Sequence, residues 1–137
     1  MNLLAEIRES ALAALDTLID LDDLPLDAVK AEIPAQPEHG DIATNAALVT
    51  AKRAGLRPRD LAERMAELLR DNLLVADAWV AGPGFVNMRI AWSAWARLID
   101  AIRAQPGSFG HGGAPGGAIN VEYVSANPTG PLTIGHA

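Results

Sequence analysis

The sequence predicts an α+β chain: a two-layer domain over residues 1–104, with a small sheet packed by helices, and then the opening of a second domain. Three observations lead there. Apolar residues recur at helical spacing in several segments and alternate at strand spacing in others. Half the residues are hydrophobic but only 4% are aromatic, so the core is built from small side chains and is rich in helix. Six of the twelve glycines and two prolines crowd between Gln105 and Gly117, a composition that separates folded units rather than building one.

The elements come in this order. From Asn2 to Ile19 the residues Leu4, Ile7, Ala11, Leu15 and Leu18 place a stripe on one helix face, and the Asp22–Pro25 turn should end that helix. Val29, Ala31 and Ile33 alternate with Lys30 and Glu32, as in a short half-exposed strand stopped by Pro34. After a loop with Pro37 and Gly40, Asp41 reads as the cap of a helix to about Ala54, ended by Gly55. Pro58 suits the first turn of the next helix, which runs to about Asp71 with Leu61, Met65, Leu68 and Leu69 facing inward. Val75–Ala81 and Phe85–Ile90 read as two strands joined by Gly82-Pro83-Gly84. Ser93 is placed to cap a last helix whose Trp95, Leu98, Ile99 and Ile102 share a face. Beyond the linker at 105–117, Ile119, Val121 and Tyr123 alternate as in a strand, and an irregular turn leads to a helix start. A strand without partners, a turn and part of a helix cannot bury a core. Residues 118–137 therefore read as the truncated start of a further domain.

Charge and composition exclude several functions. A formal net charge of −6 argues against an indiscriminate polyanion binder, although residues 1–41 hold ten of the seventeen acidic side chains and only two basic ones. With no cysteine, disulfides, thiolate nucleophiles and sulfur-bound zinc are out. Glu6, Arg8 and Glu9 interrupt the amino end, and no apolar run approaches the roughly 20 residues of a membrane span. The expectation is a soluble cytoplasmic chain with no membrane and no DNA among its partners.

The chemistry concentrates in Val121-Glu122-Tyr123-Val124-Ser125-Ala126-Asn127-Pro128-Thr129-Gly130-Pro131-Leu132-Thr133-Ile134-Gly135-His136. A strand turning through proline and glycine into a helix presents free amides at a sheet's carboxyl edge, where phosphate-bearing ligands bind in open α/β folds. Gly135 permits close approach of a ligand, and His136 can donate to a phosphate gaining charge. From spacing alone, a polar loop with one exposed histidine remains the plainer reading.

The run VEYVSANPTGPLTIGHA, seventeen residues long, resembles the first signature of class I aminoacyl-tRNA synthetases, the HIGH box. Its form is that of arginyl-tRNA synthetases, close to V-E-x-x-S-x-N-P-T-G-P-x-H-x-G-H. Upstream, HGDIATNAALVTAKRAGLRPRDLAERMAELL and VAGPGFVNMRI resemble that family's amino-terminal additional domain, so the likeness spans about Glu38 to Ala137. Residues 1–37 match only in position and helical character.

The resemblance implies a fold and a set of roles. Residues 118–137 would open a Rossmann-like catalytic domain, and 1–104 would be the additional domain that binds the tRNA D-loop. The complete enzyme would use ATP with Mg2+ to activate L-arginine and pass it to its tRNA; this chain alone is expected to be inactive. Glu122, Ser125 and Asn127 match positions that hold the substrate arginine, a carboxylate being the natural partner of a guanidinium. Thr133, Gly135 and His136 fall in the ATP-binding signature, Thr133 and His136 at its two catalytic histidine positions. Thr133 departs from the family pattern: its hydroxyl can donate to a phosphate oxygen but is shorter and cannot be protonated. Phe85 and Asn87 match positions that meet the D-loop, the ring stacking on a splayed-out base while the amide reads its edge. Two residues apart on a strand, they share a face. Without the resemblance, Phe85 reads as core and Asn87 as a hairpin-end residue. Arg89 beside them is the basic residue to test first for a phosphate contact.

Other features carry less. Lys52, Arg53, Arg57, Arg59 and Arg64 could meet tRNA phosphates, but Asp60, Glu63 and Glu67 are interspersed, as on a solvated helix face. Glu38, His39 and Asp41 are better explained as a cap and its surroundings than as a metal site. The glycines of the linker come after a helix and precede a strand, the reverse of a dinucleotide fingerprint. Trp79, Trp92 and Trp95 read as core or domain-interface residues. Two alternatives stay open: a stand-alone non-catalytic RNA-binding module derived from the synthetase, and a docking module anchored by Trp79 and Phe85.

Overall fold

The computed structural model describes residues 2–111, 120 and 121. Its first helix, α1 (Leu3–Leu18), is capped by Asn2, whose side-chain oxygen accepts the Ala5 amide at 3.2 Å. A 3-10 turn (Leu26–Ala28) leads to the two-residue strand β1 (Ala31–Glu32). A second 3-10 turn (Pro37–His39) leads to β2 (Ile42–Thr44), followed by the short helix α2 (Ala46–Thr50). Then come α3 (Pro58–Arg70), β3 (Val75–Ala81), β4 (Phe85–Ile90) and α4 (Trp92–Ala104). These elements belong to one compact unit, Met1–Gly107.

The four strands form one antiparallel sheet in the order β1-β2-β4-β3. Helices cover one face: α3 packs on β3 and β4, α2 on β4, and α1 on α3 and on the β1–β2 edge. Ile7, Leu15, Leu61, Met65 and Leu69 from the helices meet Ile42, Val86 and Met88 from the sheet, all fully or nearly fully buried. The α+β two-layer architecture is thus the one the periodicities predict. The ends of β3 and β4 also agree, because the glycine-proline-glycine connection punctuates the chain between them.

Three expectations differ. Asp41 does not cap a helix: its N–H donates to the Met88 carbonyl and its carboxylate accepts the Ile90 N–H, both at 2.8 Å, which binds this residue to β4. The following Ile42-Ala43-Thr44 is consequently a strand, with Ile42 and Thr44 buried, and the helix is confined to Ala46–Thr50. Asn45 then joins the β1 side, its amide donating to Ala28 and accepting from Lys30. Second, β1 is too short to carry Ile33 inward, and that side chain is exposed. Third, α4 starts at Trp92 rather than after Ser93. The Ala91 N–H is held by the Leu74 carbonyl at 2.8 Å, and its own carbonyl accepts the amides of Ala94 and Trp95. Of the face foreseen for α4, Trp95 and Leu98 are half-buried while Ile99 and Ile102 are exposed; Ala94 is its buried residue.

Arg8 contributes a tie that no local pattern announces. From α1 its guanidinium donates to the carbonyls of Val29 and Leu26, both at 2.8 Å, and pins the segment entering β1. Among the described residues, no helix is long and apolar enough to cross a membrane.

Candidate nucleic-acid interface

With the helices on one face of the sheet, β4 sorts its side chains by alternation. Val86, Met88 and Ile90 enter the core, and Phe85, Asn87 and Arg89 lie on the opposite, outer face. The three residues singled out from the sequence are therefore brought together on one surface. Their environments differ. Phe85 is 41% exposed, an unusual condition for a phenyl ring, whereas Asn87 in the middle of the strand is only 3% exposed. The plainer reading of the sequence, with Phe85 in the core and Asn87 at a hairpin end, is reversed on both counts.

The burial of Asn87 has a cause on the neighbouring strand. The tight connection sets Ala81 opposite Phe85, and so Trp79 opposite Asn87, while Ala43 of β2 flanks Asn87 on the other side. Gly40 has φ +88°, and a Cβ there would lie 2.6 Å from the Met88 carbonyl oxygen and 2.8 Å from Cη2 of Trp79. Trp79 belongs to β3 on one side of β4, and Gly40 leads into β2 on the other. The indole therefore crosses β4 on the outer face, beside Asn87, and only a residue without a side chain fits where it arrives. Under this cover the Asn87 side-chain nitrogen has no hydrogen-bond partner, and it is the one such buried side-chain atom among the described residues. An unpaired buried donor costs about 1–3 kcal/mol.

Trp79 is the residue that sequence reasoning left in the core or at a domain interface. Counting back from the three-residue turn, as the register does, is the signal that would have set it beside Asn87. Trp92, by contrast, is 81% exposed and takes no part in the core.

The electrostatics of this face are mixed. The Arg89 guanidinium is about half exposed but lies 4.0 Å from the Asp41 carboxylate and sits opposite Asp77, which pairs with Arg70 at 3.5 Å. Arg59 is better placed than its position on α3 suggests. Gly84 is pressed against Pro58, and Arg59 donates to the Gly82 carbonyl at 3.4 Å, so the start of α3 adjoins the hairpin tip next to Phe85. Arg57 and Arg59 also form exposed ion pairs with Asp60 (2.7 Å) and Glu63 (3.2 Å), and Arg53 donates to the Asp23 carbonyl. Exposed pairs of this kind are weak and leave guanidinium donors free for other partners. A groove between α1 and the end of α3 has the opposite character, being lined by Glu6, Glu9 and Asp71. Among the described residues no group of side chains is placed to hold a metal ion. Glu122, Ser125, Asn127, Thr133, Gly135 and His136, like the strand expected at 118–124, lie outside the described residues.

Residues 4–90 match the family described as "Arginyl tRNA synthetase N terminal domain". Over 99% of its length the chain is 48% identical to the arginine-tRNA ligases of Roseobacter denitrificans and of Jannaschia sp. strain CCS1, and in each case it covers 24% of the relative. It is 51% identical to the arginine-tRNA ligase of Bradyrhizobium sp. strain ORS 278 over 79% of the chain and 18% of that relative. The chain thus spans about a quarter of the length of the ligases it matches. The helix-backed sheet that carries Phe85, Asn87 and Trp79 falls within the matched residues, and the chain belongs to the arginyl-tRNA synthetase family, whose amino-terminal domain it contains.

Proposed function

We propose that the outer face of this sheet binds the D-loop of the tRNA for arginine, with Phe85 stacking on an unstacked base and Asn87 reading its edge. The observation that carries the reading is the coexistence, on the outer face of one strand, of an exposed phenyl ring and a buried amide nitrogen without a partner. A ring offers every base a stacking surface, and an unsatisfied donor gains a hydrogen bond only when a ligand brings an acceptor. Arg59 beside the hairpin tip, and more weakly Arg89 next to Asp41, would supply phosphate contacts, which position the RNA without reading it.

In the complete ligase this contact would act together with others. On the same reading, Glu122, Ser125 and Asn127 hold L-arginine, while Thr133, Gly135 and His136 serve ATP, with Mg2+, during adenylate formation in the cytoplasm. The 137-residue chain by itself would not perform that reaction, since part of a binding crevice cannot orient two substrates. Separated from other tRNA-binding sites, it would bind more weakly by the ~10²–10⁴ that linked sites confer.

The test is binding of the chain to tRNA for arginine and to a non-cognate tRNA at one stated low salt concentration. Phe85→Ala should cost ~1–3 kcal/mol of affinity by loss of stacking, and Asn87→Ala should reduce the preference for the cognate tRNA. Arg89→Ala should weaken both tRNAs alike and only slightly. Binding that is unselective, or indifferent to both Phe85→Ala and Asn87→Ala, would remove the outer face from consideration.

A further inference from the structure

A role for Trp79 deepens the D-loop reading and rests on it. On the outer face, Asn87 lies between two rings: the indole of Trp79, directly opposite on β3 and crossing β4 towards Gly40, and the phenyl of Phe85, two residues along β4. Asn87 is only 3% exposed and its donor is unpaired, while Phe85 is 41% exposed. The residues of α2 and α3 that pack on β4 meet its core face, and Trp79 is not among the residues packed against the main core. Its far edge rests on Gly40, which has no side chain to hold it.

We propose that Trp79 is a further nucleobase-binding residue: it covers Asn87 in the free protein and, when a base enters, moves to stack on the base face opposite Phe85. The indole keeps water from the Asn87 amide, which leaves the donor available to an acceptor on the edge of the entering base. A base held between two rings and reached by a buried donor is discriminated more sharply than one lying on a single exposed ring, because an edge without an acceptor leaves the amide unpaired. Gly40 belongs to the device by keeping the path of the indole clear.

The experiment uses the 137-residue chain with Trp92→Phe and Trp95→Phe, two residues of α4 outside this face, so that Trp79 is the sole source of tryptophan emission. It is titrated with tRNA for arginine at fixed low salt. Emission should change on binding, and access of acrylamide to the indole should change with it. Trp79→Leu should weaken binding by about 5- to 150-fold, the range for loss of one stacking ring, and Trp79→Phe by less. Thermal unfolding checks that Trp79→Leu is folded; if it is not, Trp79→Phe and the emission change decide. Binding that depends on Phe85 and Asn87 but leaves Trp79 emission unchanged and tolerates its replacement would overturn this proposal alone. Binding indifferent to Phe85→Ala and Asn87→Ala would overturn the D-loop reading and this proposal with it.

Discussion

Asn87→Leu should make the domain more stable and less able to bind tRNA. Leucine has the same branched outline as asparagine, so the substitution removes the unpaired side-chain nitrogen while keeping the space beside Trp79 and Ala43 filled. The desolvation cost of a buried donor without a partner is about 1–3 kcal/mol, and replacing it by an apolar group recovers that cost. Strand preference acts in the same direction, since asparagine is among the residues depleted in strands. For a unit of this size, each kcal/mol moves the unfolding midpoint by about 4–8 °C, so a rise of at least ~4 °C is expected in a thermal melt followed by circular dichroism. Affinity for tRNA for arginine, measured on the same sample, should fall as it does for Asn87→Ala. An unchanged or lowered midpoint would refute the reasoning, because it would mean that the amide already has a partner in the free protein and is not kept for a ligand.

Two further substitutions test how the face is held. Gly40→Ala places a Cβ 2.6 Å from the Met88 carbonyl oxygen and 2.8 Å from the Trp79 ring, at φ +88° and ψ −161°, a region essentially confined to glycine. It should destabilise the domain by at least ~1–3 kcal/mol, read as a lower urea midpoint. Arg8→Ala leaves the half-buried carbonyls of Leu26 and Val29 without their charged donor. It should cost about 1.5–3 kcal/mol in urea unfolding, and Arg8→Lys should not restore it, because one ammonium cannot reproduce the two-pronged contact.

The distribution of charge gives the molecule two unlike sides. Of the acidic residues of the first third, Glu6, Glu9 and Asp16 lie on α1, and Glu6 and Glu9 line its groove with α3 together with Asp71. Since α1 belongs to the helical layer, the carboxylates of Glu6 and Glu9 lie on the opposite side of the sheet from Phe85 and Asn87, whereas Asp41 lies beside Arg89 and Asp77 sits opposite it. An acidic net charge is compatible with a local site for RNA where part of that charge lies away from it.

Local order and ancestry were legible without coordinates. The helical stripes of α1 and α3 depend on neighbours within one or two turns, and the glycine-proline-glycine connection marks the β3–β4 hairpin on its own. The family likeness rests on contiguous motifs, so it too could be read directly, and with it the shared strand face of Phe85 and Asn87. The β2 strand was not legible, because three residues show no period and their conformation is set by the edge of β4, which Asp41 reaches through its N–H and carboxylate. Nor was the contact of Arg8 with Leu26 and Val29, which joins residues about twenty positions apart. The state of Asn87 lay furthest from view. An asparagine in a strand is ordinarily solvated, and only the strand order β2-β4-β3 brings Trp79 from one side and Gly40 from the other to close over it. Sequence determines which side chains share a face, through a backbone period of two. Tertiary structure decided which of them lost its water, because burial depends on residues that the chain brings together from afar.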